Sequence, residues 1–347
     1  MAEQMRYEPL ISVITPAKKL EYCGRVIESV KKVNYPAEKI EQIIVEGNQP
    51  SKQRNEGAKT ASGEILFFFD NDCEISPQLF SEVLKHFENP QTTAVAGVSI
   101  VKRDAPPMVR ASNYVFSSLF GGFTIRFKHQ QAGEARPATD KHFIMCNVAI
   151  RKDIFLKEGG LNEEIYPGEE DQFFKLLYKK GYSLIYEPQS VVYRQSRSTL
   201  KEFIKSIFIY GRAKIDQGFK NFSPVDILFF VPALFVVYLL FVFYLLLRDM
   251  ACQSKAISST LLPFYLSTSL PFYIIPLLLY VLIDLSVSIL VTLRKKDTAA
   301  LRLIYLFPLM HISGGLGEIW GLIKAIFGIK ITKEKYTKVI KMKNFNE

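Results

Sequence analysis

The sequence has few of the residues that mark a disulfide-stabilised or zinc-stabilised domain. Its 347 residues include only four cysteines, four histidines and one tryptophan. No two cysteines stand in a Cys-x-x-Cys pair, and His86, His129 and His142 are scattered without metal-ligand spacing. These absences exclude a zinc ribbon and a disulfide scaffold. The cysteines are Cys23, Cys73, Cys146 and Cys252.

Excess positive charge is also absent from the first half of the chain. The net charge is +10, yet residues 1–191 carry 24 basic and 25 acidic side chains. Residues 192–225 add a net +5 and residues 226–347 a net +6, so the excess begins near the long apolar segments. This distribution predicts a membrane surface as the partner and no nucleic acid. With 27 Phe and 22% charged residues, the chain is also not disordered.

Three apolar segments in the second half are candidates for membrane helices. Residues 227–247 contain no charged side chain and are long enough to cross a bilayer. Residues 261–293 contain a single charged residue, Asp284. Prolines interrupt the first part of this segment, which favours a crossing over 272–293. The third segment, 303–329, is weaker because it contains His311 and Glu318, and it suits a packed or interfacial helix.

The sidedness of the C-terminus stays open at this stage. The N-terminus has no signal-peptide core, so we expect residues 1–225 on the cytoplasmic side of a multi-pass cell (inner or plasma) membrane protein. Three crossings would place the six lysines of the tail outside, against the positive-inside rule. Either the third segment does not cross, or the proline-containing second segment crosses twice.

The soluble part alternates apolar strand patterns with helix patterns. Strands are predicted at 10–15, 40–45 and 65–69, with helices at 22–33 and 51–61, which indicates an α/β fold with a mostly parallel sheet. In such sheets ligands bind beyond the carboxyl ends of the strands. Thr15, Glu46 and Asp70 all lie at those ends.

Two acidic motifs carry candidate chemistry. Asp70 and Asp72 follow a buried strand one residue apart, and such a pair suits Mg²⁺ or Mn²⁺ with room for phosphate oxygens. The alternative is an acidic turn. Glu169, Glu170 and Asp171 begin an amphipathic helix pattern, where acids also serve as ordinary partners of the helix dipole.

In this order the motifs resemble family 2 glycosyltransferases, nucleotide-sugar-dependent enzymes of the Rossmann-like GT-A fold. The resemblance covers residues 10–215 and includes an Arg-Asn-x-Gly helix at 54–57, the Asp-x-Asp strand and the segment 146–151. It implies that Asp70 and Asp72 bind Mn²⁺ or Mg²⁺ and that Asp171, with Glu170, is the catalytic base. The nucleotide sugar would be held by Thr15, Pro16, Ala17, Glu46, Arg54, Asp70 and Asn71.

The chain departs from the family pattern at three places. Family members usually have Asp where Glu46 stands, and many have His where Arg194 follows the last strand. An arginine there could grip the diphosphate or belong to the juxtamembrane charge. The Gln-x-x-Arg-Trp motif of processive synthases is absent, which favours addition of a single sugar.

The resulting hypothesis divides the chain into four parts. A GT-A domain at 1–198 is followed by an amphipathic juxtamembrane region at 199–225, a membrane region at 226–328 and a Lys-rich tail at 329–347. The helix pattern after residue 199 suits either packing on the sheet or contact with an anionic leaflet.

We expect an inverting glycosyltransferase that moves a sugar from a nucleotide diphosphate donor, UDP-linked by the resemblance, to a lipid-linked or glycan acceptor in surface glycan or polysaccharide synthesis. A polyprenyl-phosphate sugar synthase is the enzymatic alternative. A non-catalytic nucleotide-sugar binding scaffold is the alternative from another class.

Overall fold

The computed structural model describes residues 7–194, 197–216, 228, 230–255, 262–329 and 336–342; side chains of residues 249–255 and 262–271 are not described. Residues 217–225 of the predicted juxtamembrane region lie outside these residues, as do residues 330–335 and 343–347 of the predicted Lys-rich tail. The chain forms two compact units. One comprises residues 1–198 with 330–347, and the other comprises 199–329.

The first sixty residues of the larger unit fold as the sequence pattern predicts. The elements are β1 (Ile11–Ala17), α1 (Gly24–Val30), β2 (Ile40–Gly47), α2 (Pro50–Thr60) and β3 (Ile65–Phe68). Strand β1 pairs in parallel with both β2 and β3. The carboxyl ends of these strands therefore share one edge of the sheet.

The remaining elements of this unit make the sheet mixed rather than mostly parallel. Strand β5 (Thr92–Ile100) runs parallel to β8 (Ser183–Arg194). Strand β7 (Val148–Arg151) runs antiparallel to both β3 and β5 because it enters from the opposite edge. The order is β4-β8-β5-β7-β3-β1-β2-β9, with β6 beside β8. These elements are β4 (Cys73–Ile75), α3 (Leu79–Phe87), β5 (Thr92–Ile100), α4 (Pro107–Ser117), α5 (Leu119–Gly122), β6 (Arg136–Pro137), β7 (Val148–Arg151), α6 (Lys152–Lys157), α7 (Glu169–Lys179), β8 (Ser183–Arg194) and β9 (Thr337–Met342).

Both faces of the sheet are apolar and covered. Along β3 the side chains alternate, so Phe67 packs on Phe80 of α3 on one face while Phe68 packs on Phe155 of α6 on the other. Two buried clusters form in this way, one on each face. A strand buried on both sides explains the uninterrupted run of apolar residues that ends at Asp70.

The C-terminal strand closes one edge of the sheet. Strand β9 lies antiparallel to β2, with Ile340 opposite Ile44 and Lys338 opposite Glu46. Part of the Lys-rich tail is therefore a strand of the N-terminal unit. The physical consequence is that β2 is not left as an open edge.

The second unit is helical. Its helices are α8 (Leu200–Asp216), α9 (Val231–Lys255), α10 (Leu262–Lys295) and α11 (Leu303–Ile326). Three segments are long and apolar enough to cross a membrane, as the sequence predicts: Val231–Arg248, Phe272–Lys295 and Thr298–Ile326. Helix α10 continues without a break through its prolines, so the second segment is one helix and does not form two short crossings.

Helix α11 packs closely on α8 through glycines. A Cβ on Gly211 would lie 2.2 Å from the carbonyl oxygen of Gly314, and one on Gly317 would lie 2.2 Å from that of Phe208. Glu318 is fully buried in this interface. It accepts the Ala233 N–H at 3.1 Å and pairs with Lys214 at 3.4 Å. Helix α8 thus packs on α11 within the helical unit.

Gly57 of α2 provides a test of the close packing between α2 and the sheet. An added Cβ would lie 2.5 Å from Cγ2 of Ile14, whereas a Cβ on Gly24 of α1 would meet nothing within 4 Å. We expect Gly57→Ala to destabilise the protein by about 1–3 kcal/mol and Gly24→Ala to be neutral or stabilising. Thermal unfolding of the full chain in detergent measures both, and equal melting temperatures would contradict this packing.

Candidate active site

The candidate site lies where β1 and β3 end and α7 begins. Thr15 is buried in β1, and its Oγ1 has no hydrogen-bond partner among the described residues. Pro16 and Ala17 complete the strand beside it. A buried hydroxyl of this kind has unused hydrogen-bonding capacity, which a ligand can satisfy.

A single buried arginine joins the two acidic motifs. Arg54 of α2 has 4% of its side chain exposed, and its Nη2 lies 2.8 Å from Oδ1 of Asp70. Its Nη1 lies 2.6 Å from Oε1 of Glu169 at the start of α7. The planar guanidinium therefore fixes the end of β3 relative to the first turn of α7.

The neighbouring residues of α2 strengthen the same connection. Asn55 donates to the carbonyl oxygen of Leu161 at 2.8 Å and accepts the Leu161 N–H at 2.9 Å. Gly57 allows the helix to approach Ile14. Each named residue of the Arg-Asn-x-Gly pattern thus has a contact that explains it. Arg54 forms the ion pairs, Asn55 bonds the loop at Leu161, and Gly57 allows α2 to lie close to β1.

Arg194 lies between the two carboxylates of the Asp-x-Asp motif. Its Nη2 is 3.0 Å from Oδ2 of Asp70, and its Nε is 2.9 Å and 3.0 Å from the two carboxylate oxygens of Asp72. Pairing of β4 with β8, which sets Cys73 opposite Arg194, explains this position. Burial alone would raise the pKa of Asp70, but Arg194 and Arg54 outweigh it and hold that pKa below its ordinary value.

The oxygen chemistry of Asp70 and Asp72 fits a divalent cation of the Mg²⁺ or Mn²⁺ type. Within the described part of the chain, no group of three or more His, Cys, Asp or Glu side chains is arranged to hold a metal. Further ligands would therefore come from phosphate or water oxygens. A cation bound between these carboxylates would compete with Arg194 for the same oxygens.

The first turn of α7 presents its acids in three different environments. Gly168 precedes the helix with φ 102°, a conformation in which a side chain would be strained. Burial raises the pKa of Glu169, although Arg54 opposes the rise. Burial, with repulsion from Glu169 and Asp171, raises the pKa of Glu170 to about 8. Glu170 is therefore mostly protonated at neutral pH.

Asp171 is paired with a lysine that the sequence did not indicate. Lys128 Nζ lies 3.0 Å from Oδ1 of Asp171; the lysine side chain is 6% exposed and that of the aspartate 35% exposed. Lys128 belongs to a 3₁₀ helix over Phe123–His129. It lies in the interval 121–141, whose polar, glycine-containing sequence predicts a flexible loop over the site. It is instead ordered by apolar and polar contacts, including hydrogen bonds from the Tyr186 hydroxyl to the carbonyl oxygens of Phe127 and Gln130.

Two other predicted site residues make local contacts at the rim. Glu46 accepts the Leu20 N–H at 2.7 Å and faces Lys338 of β9 at 3.8 Å. Asn71 donates to the carbonyl oxygen of Tyr22 at 3.3 Å. The structure therefore brings Asp70, Asp72, Arg54 and the start of α7 into one connected group, with Glu46 and Asn71 bonded to the segment after β1. Sequence reasoning missed the links made by Glu169 and Lys128, because each joins residues more than forty positions apart.

Comparisons with known proteins show similarity to glycosyltransferases. Residues 37–158 match the family model described as glycosyl transferase family 2. The pre-mycofactocin glycosyltransferases of two Mycobacterium tuberculosis strains, CDC 1551 / Oshkosh and ATCC 25618 / H37Rv, are each 26% identical over 164 residues. That match covers 47% of this chain and 33% of each relative, so the chain spans about a third of the length of the curated relatives.

Solved structures identify the fold. Mannosyltransferase PcManGT from Pyrobaculum calidifontis, in complex with GDP-Man and Mn²⁺, aligns with a TM-score of 0.51 at 14% identity, covering 91% of this chain and 88% of that one. The S. aureus TarS 1–349 structure aligns with a TM-score of 0.38 at 15% identity, covering 62% and 67%. The first alignment confirms the GT-A fold followed by apolar C-terminal helices.

The raised pKa of Glu170 predicts a pH dependence of stability. Because the folded protein disfavours the ionised form, stability is lost as the pH rises from about 4.5 through about 8. Glu170→Gln has no carboxyl group to ionise at this position, so we expect it not to lose this stability as the pH rises. It should melt a few degrees higher than the wild type at pH 8–9. Thermal unfolding from pH 5 to 9 measures the difference. Glu38→Gln, at an exposed position, is the control; parallel pH profiles for wild type and Glu170→Gln would contradict the assignment.

Proposed function

We propose that the chain, whose residues 37–158 match the glycosyl transferase family 2 model, is a membrane-anchored enzyme that transfers one sugar from a nucleotide diphosphate donor to a membrane-associated acceptor. The observation that carries the proposal is the ion-pair connection through Arg54. It places the Asp-x-Asp carboxylates and the acidic start of α7 at one edge of the sheet. A donor diphosphate and an acceptor nucleophile need such neighbouring sites.

The donor side of the site is built from the ends of β1, β2 and β3. The nucleobase would lie against Thr15, Pro16 and Ala17, where the buried hydroxyl of Thr15 has no hydrogen-bond partner among the described residues. Glu46 would reach the base or ribose. Asp70 and Asp72 would hold Mg²⁺ or Mn²⁺, which supplies positive charge to the diphosphate as it leaves. Arg54 holds Asp70 in place, and Asn71 lies on the rim.

The acceptor side is the first turn of α7. The acceptor oxygen attacks the anomeric carbon, the bond from that carbon to the diphosphate oxygen breaks, and the acceptor proton passes to Asp171. Asp171 is the accessible carboxylate of the two, with 35% of its side chain exposed, whereas burial raises the pKa of Glu170 to about 8 and leaves it mostly protonated at neutral pH. Inversion at the anomeric carbon follows from the family resemblance.

A specific observation favours a second candidate, transfer to a polyprenyl phosphate. A cavity of about 210 Å³ adjoins the site, and its lining includes three basic residues, Arg25, Lys102 and Arg194, and two acidic ones, Glu74 and Asp104. The excess of basic side chains suits an acceptor phosphate. A phosphate is already ionised and needs little help from a general base.

Asp171→Asn distinguishes the two acceptors. With a hydroxyl acceptor we expect a loss of transfer rate of roughly 100- to 10,000-fold, because the proton has no base to accept it. With a phosphate acceptor the rate should be nearly unchanged. The measurement is sugar transfer in membranes of the source organism with a panel of nucleotide sugars and Mn²⁺. Asp153→Asn on the exposed surface is the matched control.

Asp72→Ala tests the assignment common to both acceptors. We expect this variant to lose donor turnover with either acceptor, and wild-type rates would show that the Asp-x-Asp assignment is wrong. In the same assay, a wild-type protein that binds the donor without turning it over would be a binding scaffold rather than an enzyme.

The pairing of β9 with β2 bears on membrane topology. Since both strands belong to one sheet, the N-terminal domain and β9 must lie on the same side of any membrane, and an even number of helices must cross it. Of the three candidate spans, Thr298–Ile326 is 50% buried within the protein, against 22% and 11% for the other two. We infer that α9 and α10 cross the cell membrane and that α11 lies at its surface with α8, whose exposed face includes Lys201 and Lys205.

Charge distribution supports this topology. Two crossings put the catalytic domain, the basic loop Arg294–Lys296 and the Lys-rich tail together on the cytoplasmic side, in agreement with the positive-inside rule. Epitope tags at each terminus and between residues 255 and 262 test it in sealed, oriented vesicles. We expect the two terminal tags on one side and the internal tag on the other; terminal tags on opposite sides would contradict the even number of crossings.

A further inference from the structure

The arginine that ends β8 makes the contacts a divalent cation would make. Its guanidinium reaches Oδ2 of Asp70 at 3.0 Å and both carboxylate oxygens of Asp72 at 2.9 Å and 3.0 Å. The other oxygen of Asp70 lies 2.8 Å from Arg54. Each carboxylate of the pair is therefore already neutralised by a cation from the chain itself.

A guanidinium and a divalent cation compete for these oxygens. Both would be within a few ångströms of each other in a partly buried site, where repulsion between like charges is weakly screened. Arg54 is nearly fully buried and also holds Glu169, so it is not free to move. Arg194 is the exchangeable partner, since 30% of its side chain is exposed.

The structure offers Arg194 a place to move. The cavity of about 210 Å³ described above is lined by Arg194 and also by the carboxylates of Glu74 and Asp104. Glu74 lies on β4, beside β8, where it faces Tyr193 in the strand register. A displaced guanidinium would meet the exposed Asp104 there, and it would share Glu74 with Lys102, whose Nζ lies 2.6 Å from Oε1 of Glu74.

We propose that Arg194 is an internal counter-ion of the Asp70–Asp72 pair that a divalent cation displaces when a nucleotide diphosphate binds, and that the released guanidinium then contacts the diphosphate. The inference rests on the proposed function in that it assumes a diphosphate ligand. Arg194 acts here as a ligand-binding residue that also limits metal binding. The metal and the nucleotide therefore bind with positive linkage, each raising the affinity for the other.

The test measures Mn²⁺ binding without any donor. The full chain in detergent is titrated with Mn²⁺ alone, and the free ion is followed by electron paramagnetic resonance. We expect Arg194→Met to bind Mn²⁺ at least tenfold more tightly than the wild type, because the carboxylates lose their competing cation. Arg25→Met removes the same charge from the same cavity but leaves the Asp70–Asp72 pair occupied by Arg194, and it should bind Mn²⁺ like the wild type.

Two further variants keep the result interpretable. Adding Asp72→Ala to Arg194→Met should abolish the gain, which shows that the ion binds at this pair. Arg194→Lys keeps a charge but loses the forked contact, so intermediate Mn²⁺ affinity is expected, and it serves if Arg194→Met does not fold. UDP and GDP are then titrated with Mn²⁺ present, where Arg194→Met should bind nucleotide more weakly than the wild type.

The outcomes separate this inference from the proposed function. If neither Arg194→Met nor Arg194→Lys binds Mn²⁺ more tightly than the wild type, or if the gain survives loss of Asp72, the counter-ion role is wrong. Unchanged nucleotide affinity in Arg194→Met would overturn the diphosphate contact. Absence of sugar transfer by the wild type would count against the proposed function alone, because the Mn²⁺ titration uses neither donor nor acceptor.

Discussion

The buried guanidinium of Arg54 is the interaction on which the candidate site depends. It bonds Asp70 beyond one strand and Glu169 at the start of a helix more than a hundred residues later. A buried cation needs compensating carboxylates, and carboxylates at a buried strand end need a cation, so each stabilises the other. This mutual requirement holds Asp70 and the first turn of α7 at a fixed separation, and it gives Arg54 a structural role.

Around this centre the acids are paired or protonated. Arg194 neutralises Asp70 and Asp72, Lys128 faces Asp171, and burial leaves Glu170 mostly protonated at neutral pH. The site is thus close to electrically balanced. A ligand that brings negative charge would change these pairs, and Arg194, with 30% of its side chain exposed, is the partner best placed to move.

The two ends of the chain are coupled through the sheet. Because β9 pairs with β2, the polypeptide leaves the N-terminal unit at residue 198, forms the apolar helices and returns to the same unit. The glycine contacts between α8 and α11 and the buried Glu318 show that the third apolar helix is packed against a polar neighbour. Its hydropathy alone does not distinguish this packing from a membrane crossing.

The sequence by itself determined the α/β class, the first five elements, the three apolar helices and the acidic motifs, because each rests on local periodicity or on residues close together in the chain. The GT-A assignment came from motif order and was confirmed by the fold. Tertiary structure alone decided the links of Arg54 to Glu169, of Lys128 to Asp171 and of Arg194 to the Asp-x-Asp pair, the mixed sheet, and the return of the C-terminal strand. These contacts join residues far apart in sequence, and no local pattern of charge or hydrophobicity specifies which distant partner a side chain will meet.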